Sequence, residues 1–276
     1  MIPLEDKFND ILGKARRGAG LSFEDLSKRS GIAESALKDW EAGRGVPAES
    51  QLDPLCRALP LVPARLLESL HQRWYPQHPR AAALKNFLQI PSRYGDMLVN
   101  CYLAWDVATH EAALFDTGAD FDLLRGKIES YPLKLTHVFL THTHTDHVAV
   151  LDRVIQAWKP ALFTSRKEYV REAKPIAEGE SFAVGKLTVD VLETEGHSPG
   201  GLSFLVRHLG EHLPSVAVVG DAMFAGSIGG PMFSYDRLLE NIRRKILSLP
   251  EDTVLAPGHG PLTTVGEEKR HNPFLV

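Results

Sequence analysis

Cysteine is nearly absent from this sequence: its 276 residues hold two, Cys56 and Cys101. Two isolated thiols build neither a disulfide framework nor a cysteine metal site, so both are expected as buried free thiols. No apolar run approaches the ~18 residues that a membrane-crossing helix needs. The first residues, Met1-Ile2-Pro3-Leu4-Glu5-Asp6, lack a basic stretch followed by an apolar core. No transmembrane helix, membrane partner or signal peptide is therefore expected, and the cytoplasm is the expected compartment. An excess of one charge is missing as well: a net charge of -4 gives no whole-protein pull towards nucleic acid or anionic membrane. Internal repeats and low-complexity tracts are also absent. A chain of this length and mixed composition has room for two modest domains.

Histidine, by contrast, is concentrated. Thr141-His142-Thr143-His144-Thr145-Asp146-His147 packs three histidines and an aspartate into one short stretch. Residues 135–140 before it, Leu-Thr-His-Val-Phe-Leu, read as a buried strand. Residues 148–158 after it carry apolar side chains at helical spacing, with Thr145 as the expected N-cap. A strand-to-helix turn makes such side chains converge, and imidazole and carboxylate at this density suit zinc, iron or manganese. Three further polar residues end apolar runs: His197 in Glu195-Gly196-His197-Ser198-Pro199-Gly200-Gly201, Asp221 after Val216-Ala217-Val218-Val219-Gly220, and His259 in Pro257-Gly258-His259-Gly260-Pro261.

These four segments, in this order, resemble the metallo-β-lactamase superfamily of metallohydrolases. The resemblance implies an α/β fold over residues 81–276, an αββα sandwich with its ligands on loops at one edge. It also implies a metal set. His142, His144 and His197 would hold a first ion, and Asp146, His147 and His259 a second. Asp221 would bridge the two. Two divalent ions are implied, zinc before iron or manganese, with a shared hydroxide as nucleophile and Asp146 or Asp221 steering its proton. Asp116, in Asp116-Thr117-Gly118, resembles a residue that orients metal histidines from behind.

The stretches Gly220–Gly229, Pro257–Thr264 and Glu268–Phe274 are similar to glyoxalase II-like hydrolases, which implies a thioester or ester substrate. Two departures leave the substrate's identity open. Only 17 residues follow His259, too few for the helical C-terminal domain with which full-length glyoxalase II grips glutathione, and Gly230-Pro231 stands where an arginine is usual. Two other classes compete. A persulfide dioxygenase shares the scaffold but needs one iron, and a transcriptional regulator would use the metal domain only to sense a ligand.

The first 72 residues read as five helices. Ser22 with Asp25 opens the second, Gly31 closes it, and the short gap to the third is a helix-turn-helix spacing. Residues 21–47 resemble a Cro/repressor-type helix-turn-helix domain, with Leu26, Ile32, Leu37 and Trp40 as its core. That resemblance implies DNA contacts at Ser35, Lys38 and Arg44. Residues 1–75 nevertheless hold eleven Lys/Arg against eleven Asp/Glu, which is no basic footprint. DNA binding is therefore expected to be weak, with docking or homodimerisation as the competing role. Residues 73–80, polar and broken by prolines, are expected as the linker, and His71 and His78 as solvated residues of it.

Overall fold

The protein is described here by a computed structural model, which covers residues 1–77 and 83–275. The expected linker 73–80 is described only to Gln77; its remainder, with His78, lies outside the described residues.

The helical part holds α1 (Phe8–Gly18), α2 (Phe23–Ser30), α3 (Glu34–Glu41), α4 (Leu52–Ala58) and α5 (Pro63–Leu70), with a single 3₁₀ turn at Glu49–Gln51. Local chemistry sets these bounds. The Ser22 hydroxyl accepts from the Asp25 N–H, the Asp25 carboxylate accepts from the Ser22 N–H, and Gly31 leaves the helix at φ 71°. Leu26, Ile32, Leu37 and Trp40 are all buried.

The second part is an α/β sandwich. One sheet runs β1 (Phe87–Tyr94), β2 (Met97–Trp105), β3 (Glu111–Phe115), β4 (Lys134–Phe139), β5 (Ala161–Ser165), β6 (Lys174–Ile176). The other holds β7 (Ser181–Val184), β8 (Leu187–Glu193), β9 (Leu202–Arg207), β10 (Val216–Gly220), β13 (Val254–Pro257) and β14 (Thr263–Thr264), in the order β14-β13-β10-β9-β8-β7. A hairpin of β11 (Met223–Phe224) and β12 (Ser227–Ile228) stands apart from both.

Period-2 alternation assigns each side chain to a layer. Tyr102, Ala104, Phe115 and Phe139 of the first sheet meet Val189, Phe204, Val216 and Val218 of the second in the central core. Leu103, Leu114 and Val138 point the other way, under α6 (Phe121–Ser130) and α7 (Leu151–Trp158). Ala217, Val219 and Leu255 face outward from the second sheet, under α8 (Tyr235–Asn241) and α9 (Val265–His271). Cys56 and Cys101 are buried free thiols, as expected.

The five-helix part is not free of the sandwich. Its core and the outer layer over the second sheet form one continuous apolar cluster, from Phe8 and Leu66 to Phe274 and Leu275. Arg65 donates to the carbonyls of Asn272 and Leu275, and the Val62 N–H to that of Pro273. Trp74 stacks on His271 with centroids 4.9 Å apart, and His271 pairs with Glu68. The described part of the expected linker thus packs on the sandwich. His71 is paired with Glu49 at the surface.

Two boundaries differ from expectation. Helix α7 begins at Leu151, with Val150 as its N-cap; Thr145 caps nothing, and its hydroxyl instead meets that of Tyr94 at 3.1 Å. Residues 143–150 form irregular turns, and Asp146 and His147 project from that backbone rather than from a helix. The apolar spacing of residues 235–249 predicts a single helix, but it passes from α8 into a π-helical turn at Ile242–Ile246. That turn buries Ile242 and Ile246 and brings Lys245 to Glu178 and the Glu193 carbonyl.

Glu268 is fully buried on α9 and ties the β11–β12 hairpin down. It accepts from the Gly226 N–H, the Thr263 hydroxyl and the Asn272 amide, while Asn272 also donates to the Ser227 carbonyl. Burial pushes its carboxyl up to about 7, against these donors. A raised acid binds its proton more tightly folded than unfolded, so the stability it contributes is present below the unfolded pKa. That contribution is lost as pH rises from about 4.5 towards about 7. Glu268→Gln cannot ionise. Its stability relative to the native protein should therefore improve by on the order of 3 kcal/mol between pH 4.5 and pH 8. Urea unfolding of both proteins at the two pH values measures this, and a difference independent of pH would contradict it.

Candidate metal centre

All seven expected ligand side chains come together at one edge of the sandwich. His142, His144, Asp146 and His147 lie on the loop after β4, His197 on the loop after β8, Asp221 at the end of β10 and His259 at the end of β13. They fall into two groups, His142, His144, His197 and Asp221, then Asp146, His147 and His259. Within each group one ligand atom per residue lies within 4.8 Å of the others.

In the first group, His144 Nδ1 is 3.0 Å from the Nε2 atoms of both His142 and His197. In the second, His259 Nε2 is 3.2 Å from Asp146 Oδ2, and His147 Nε2 is 3.5 Å from the same oxygen. Asp221 stands between them. Its Oδ1 is 3.3 Å from His147 Nε2, and its Oδ2 is 3.4 Å from His197 Nε2 and 3.5 Å from His259 Nε2.

The far side of each ring decides which nitrogen faces inward. His197 donates from Nδ1 to the Gly230 carbonyl and His259 to that of Leu98, both at 2.7 Å. His147 donates from Nδ1 to Asp116 Oδ2 at 2.8 Å. The Thr141 hydroxyl gives its proton to Asp116 at 2.7 Å, so it accepts from His142 Nδ1 at 3.0 Å. Asp116, held at φ 55°, therefore orients His147 directly and His142 through Thr141. With Nδ1 protonated, each of these rings turns an Nε2 lone pair inward. The departure at Gly230-Pro231 does no harm to His197, because the partner there is a backbone carbonyl.

Several positioning residues carry no sequence signal. Asn100 donates from its side chain to the carbonyls of Pro257 and Gly260, and from its N–H to Gly258, fixing the turn that presents His259. Glu168 takes the Thr143 hydroxyl and the Gly200 N–H, joining the loops of His144 and His197. Gly258 must be glycine: a Cβ there would strike Asp221 Oδ1 and come within 2.6 Å of His147 Cε1.

The donor set fits metal cations. Buried His147 Nε2 and Asp221 Oδ1 have no hydrogen-bond partner. Burial drives His142 well below its ordinary range, with neighbouring His147 adding to it, and lowers His197 too. Burial also opposes charge on His147, but Asp221 and Asp116 outweigh it and hold that ring up to about 10. Asp221 and Asp146 likewise outweigh burial to hold His259 up to about 11. Carboxylates that force protons onto buried imidazoles mark a site that takes positive charge, and divalent ions supply it without protonating the ligands.

The expected DNA contacts belong to neither ligand group. Ser35, Lys38 and Arg44 are exposed on or just after α3, but Lys38 pairs with Glu34 at 2.6 Å and Arg44 with Asp39 at 2.7 Å. Lys269 and Arg270 both approach Glu251 at 3.9 Å on the surface. Among the described residues, no helix is long and apolar enough to cross a membrane.

Comparison with known proteins agrees with this architecture. The family model of the metallo-beta-lactamase superfamily matches residues 94–259, and that of a helix-turn-helix domain matches residues 11–70. The hydroxyacylglutathione hydrolase GloC of Haemophilus influenzae is 33% identical over 201 residues, 64% of this chain and 92% of that protein. The crystal structure of the BLEG-1 B3 metallo-beta-lactamase superposes with a TM-score of 0.61 at 32% identity, covering 69% of this chain and 99% of that one. That of ETHE1 from Myxococcus xanthus superposes at 0.58 and 26% identity, covering 67% and 83%. The chain is a member of the metallo-β-lactamase superfamily of hydrolases, carrying an N-terminal helix-turn-helix domain.

Proposed function

We propose that the protein is a two-metal hydrolase of thioesters or esters, of the glyoxalase II-like kind. The observation that carries this reading is Asp221, whose two oxygens lie within 3.5 Å of imidazoles from both ligand groups. His142, His144 and His197 would hold one ion, Asp146, His147 and His259 the other, and Asp221 would touch both. Zinc fits first, while iron and manganese also suit a set of nitrogen and oxygen donors. Bound divalent ions would supply Lewis acidity and lower the pKa of a water to near neutrality.

The chain's own groups do the rest. Asp116 and Thr141 hold His147 and His142 in one tautomer. Asp146, buried beside His147 and His259, is placed to take a proton from an attacking water and return it to a leaving thiolate or alkoxide. The name of the Haemophilus relative, a hydroxyacylglutathione hydrolase, supports the thioester class. The intact second group, Asp146, His147 and His259, favours this reading over a one-iron dioxygenase. The helix-turn-helix domain is proposed as a docking module first; homodimerisation, and weak DNA binding through Ser35, Lys38 and Arg44, come second, because Lys38 and Arg44 are already neutralised by neighbours.

The test is turnover of thioester, ester, lactone and phosphodiester panels by protein loaded with zinc, iron or manganese. Hydrolysis of a hydroxyacyl thioester is the expected result. Failure with every thioester, ester and lactone would leave the ligand-sensing regulator in its place.

A further inference from the structure

The segment before α1 crosses the sandwich beside the metal centre. A Cβ placed on Gly260, the residue after His259, would lie 3.3 Å from the Glu5 nitrogen and 3.6 Å from both the Glu5 Cβ and the Pro3 carbonyl oxygen. The segment is fastened on both sides of Glu5. The Tyr75 hydroxyl donates to the Ile2 carbonyl at 2.8 Å. The Asp6 carboxylate takes the Ser227 hydroxyl and Lys14, and Lys14 also donates to the Ile228 carbonyl at 2.8 Å while lying over Phe224, whose ring meets His259 edge-on.

Leu4 and Asp6 line a cavity of about 410 Å³ with Trp74 and His271; Glu5 does not line it. The Glu5 carboxyl is half-buried and feels the charges of His259 and Asp221. It makes no hydrogen bond or ion pair among the described residues. Lys14, the cation whose charge reaches Glu5, is itself paired with Asp6. A half-buried carboxylate left without a donor is costly unless a ligand supplies one.

We propose that this segment is a wall of the substrate site and that Glu5 is a specificity residue, receiving a cationic or N–H-rich group on the thiol or alcohol part of the substrate. This rests on the hydrolase reading above and narrows its substrate class: acyl esters or thioesters whose leaving group carries an ammonium or several N–H donors are favoured over those carrying a carboxylate there.

Three thioesters test it: acetylthiocholine (cationic), S-acetyl-N-acetylcysteamine (neutral) and S-acetyl-3-mercaptopropionate (anionic). The full chain, loaded with metal, should prefer the cationic substrate. Glu5→Gln should lower the cationic-to-neutral ratio of kcat/KM by about tenfold, chiefly through KM, as for losing a charge–charge attraction in a half-buried site. Glu5→Lys should turn the preference towards the anionic substrate. Calorimetric binding of 4-oxopentyl-trimethylammonium, the non-hydrolysable ketone analogue, should weaken by a similar factor in Glu5→Gln with metal content unchanged.

Equal ratios and equal analogue binding in the three proteins would overturn the proposal, and so would loss of a metal from Glu5→Gln, which would make Glu5 a ligand. If the native protein hydrolyses no thioester, the hydrolase reading fails, and the analogue titration still decides the role of Glu5.

Discussion

Asp221→Ala is expected to lose at least about a hundredfold in turnover and one of two bound metal ions, in line with the loss that follows disturbance of a metal's ligand shell. The carboxylate stands at the centre of the cluster, with His147, His197 and His259 each within 3.5 Å of one of its oxygens. Two divalent ions sharing a ligand sit about 3.5–4 Å apart, and the negative charge between them offsets their repulsion. Alanine removes that charge, and no other carboxylate of the two ligand groups can replace it: Asp146 faces the second group alone, and Asp116 is already engaged by His147 and Thr141. The fold should survive, since the main-chain hydrogen bond from the Gly258 N–H to the Gly220 carbonyl, which joins β10 to the turn of His259, does not involve this side chain. Elemental analysis beside a turnover assay checks both halves. A variant that keeps two ions and full activity would show that Asp221 is not the bridge.

Removing the helical part is expected to be nearly as damaging, for a different reason. A chain shortened to begin at Ala83 would bare Phe274 and Leu275, buried in the cluster shared with the helical part, and leave the carbonyls of Asn272, Pro273 and Leu275 without Arg65 and Val62. Uncovering two large apolar side chains costs about 3–6 kcal/mol, a large share of the ~5–15 kcal/mol that holds a typical domain folded. For a domain of this size that corresponds to a melting temperature lower by about 10 °C or more, with association through the bared patch. Differential scanning calorimetry and sedimentation of the shortened chain test this. A monomer melting where the native protein melts would show that the interface contributes nothing.

The metal cluster was legible because its chemistry is dense and local. His142 to His147 sit in one stretch, and the other three ligands each follow an apolar run that reads as a strand. The helices of the N-terminal part were legible for a similar reason, through Ser22, Asp25 and Gly31. What escaped was whatever depends on partners remote in sequence. Thr141 looked like one more polar neighbour of histidines, yet its hydroxyl passes the hold of Asp116 on to His142. Asn100, Glu168 and Glu268 are ordinary residues until the fold brings a second loop against them. Thr145 had the chemistry of an N-cap, but the turn runs on to Val150 and its hydroxyl is engaged by Tyr94. Docking of the helices on the sandwich was invisible because the residues that do it, such as Leu66, read equally well as the helical domain's own core. Glu5 carried no motif at all; only its place beside Gly260 and its lack of a partner single it out.

Titration of metal-free protein with zinc, with hydroxyacyl-thioester hydrolysis followed at each addition, tests the two-metal hydrolase most directly. Activity is expected to rise until two ions per chain are bound and then stay level. Saturation at one ion, or no hydrolysis with both groups filled, would contradict it.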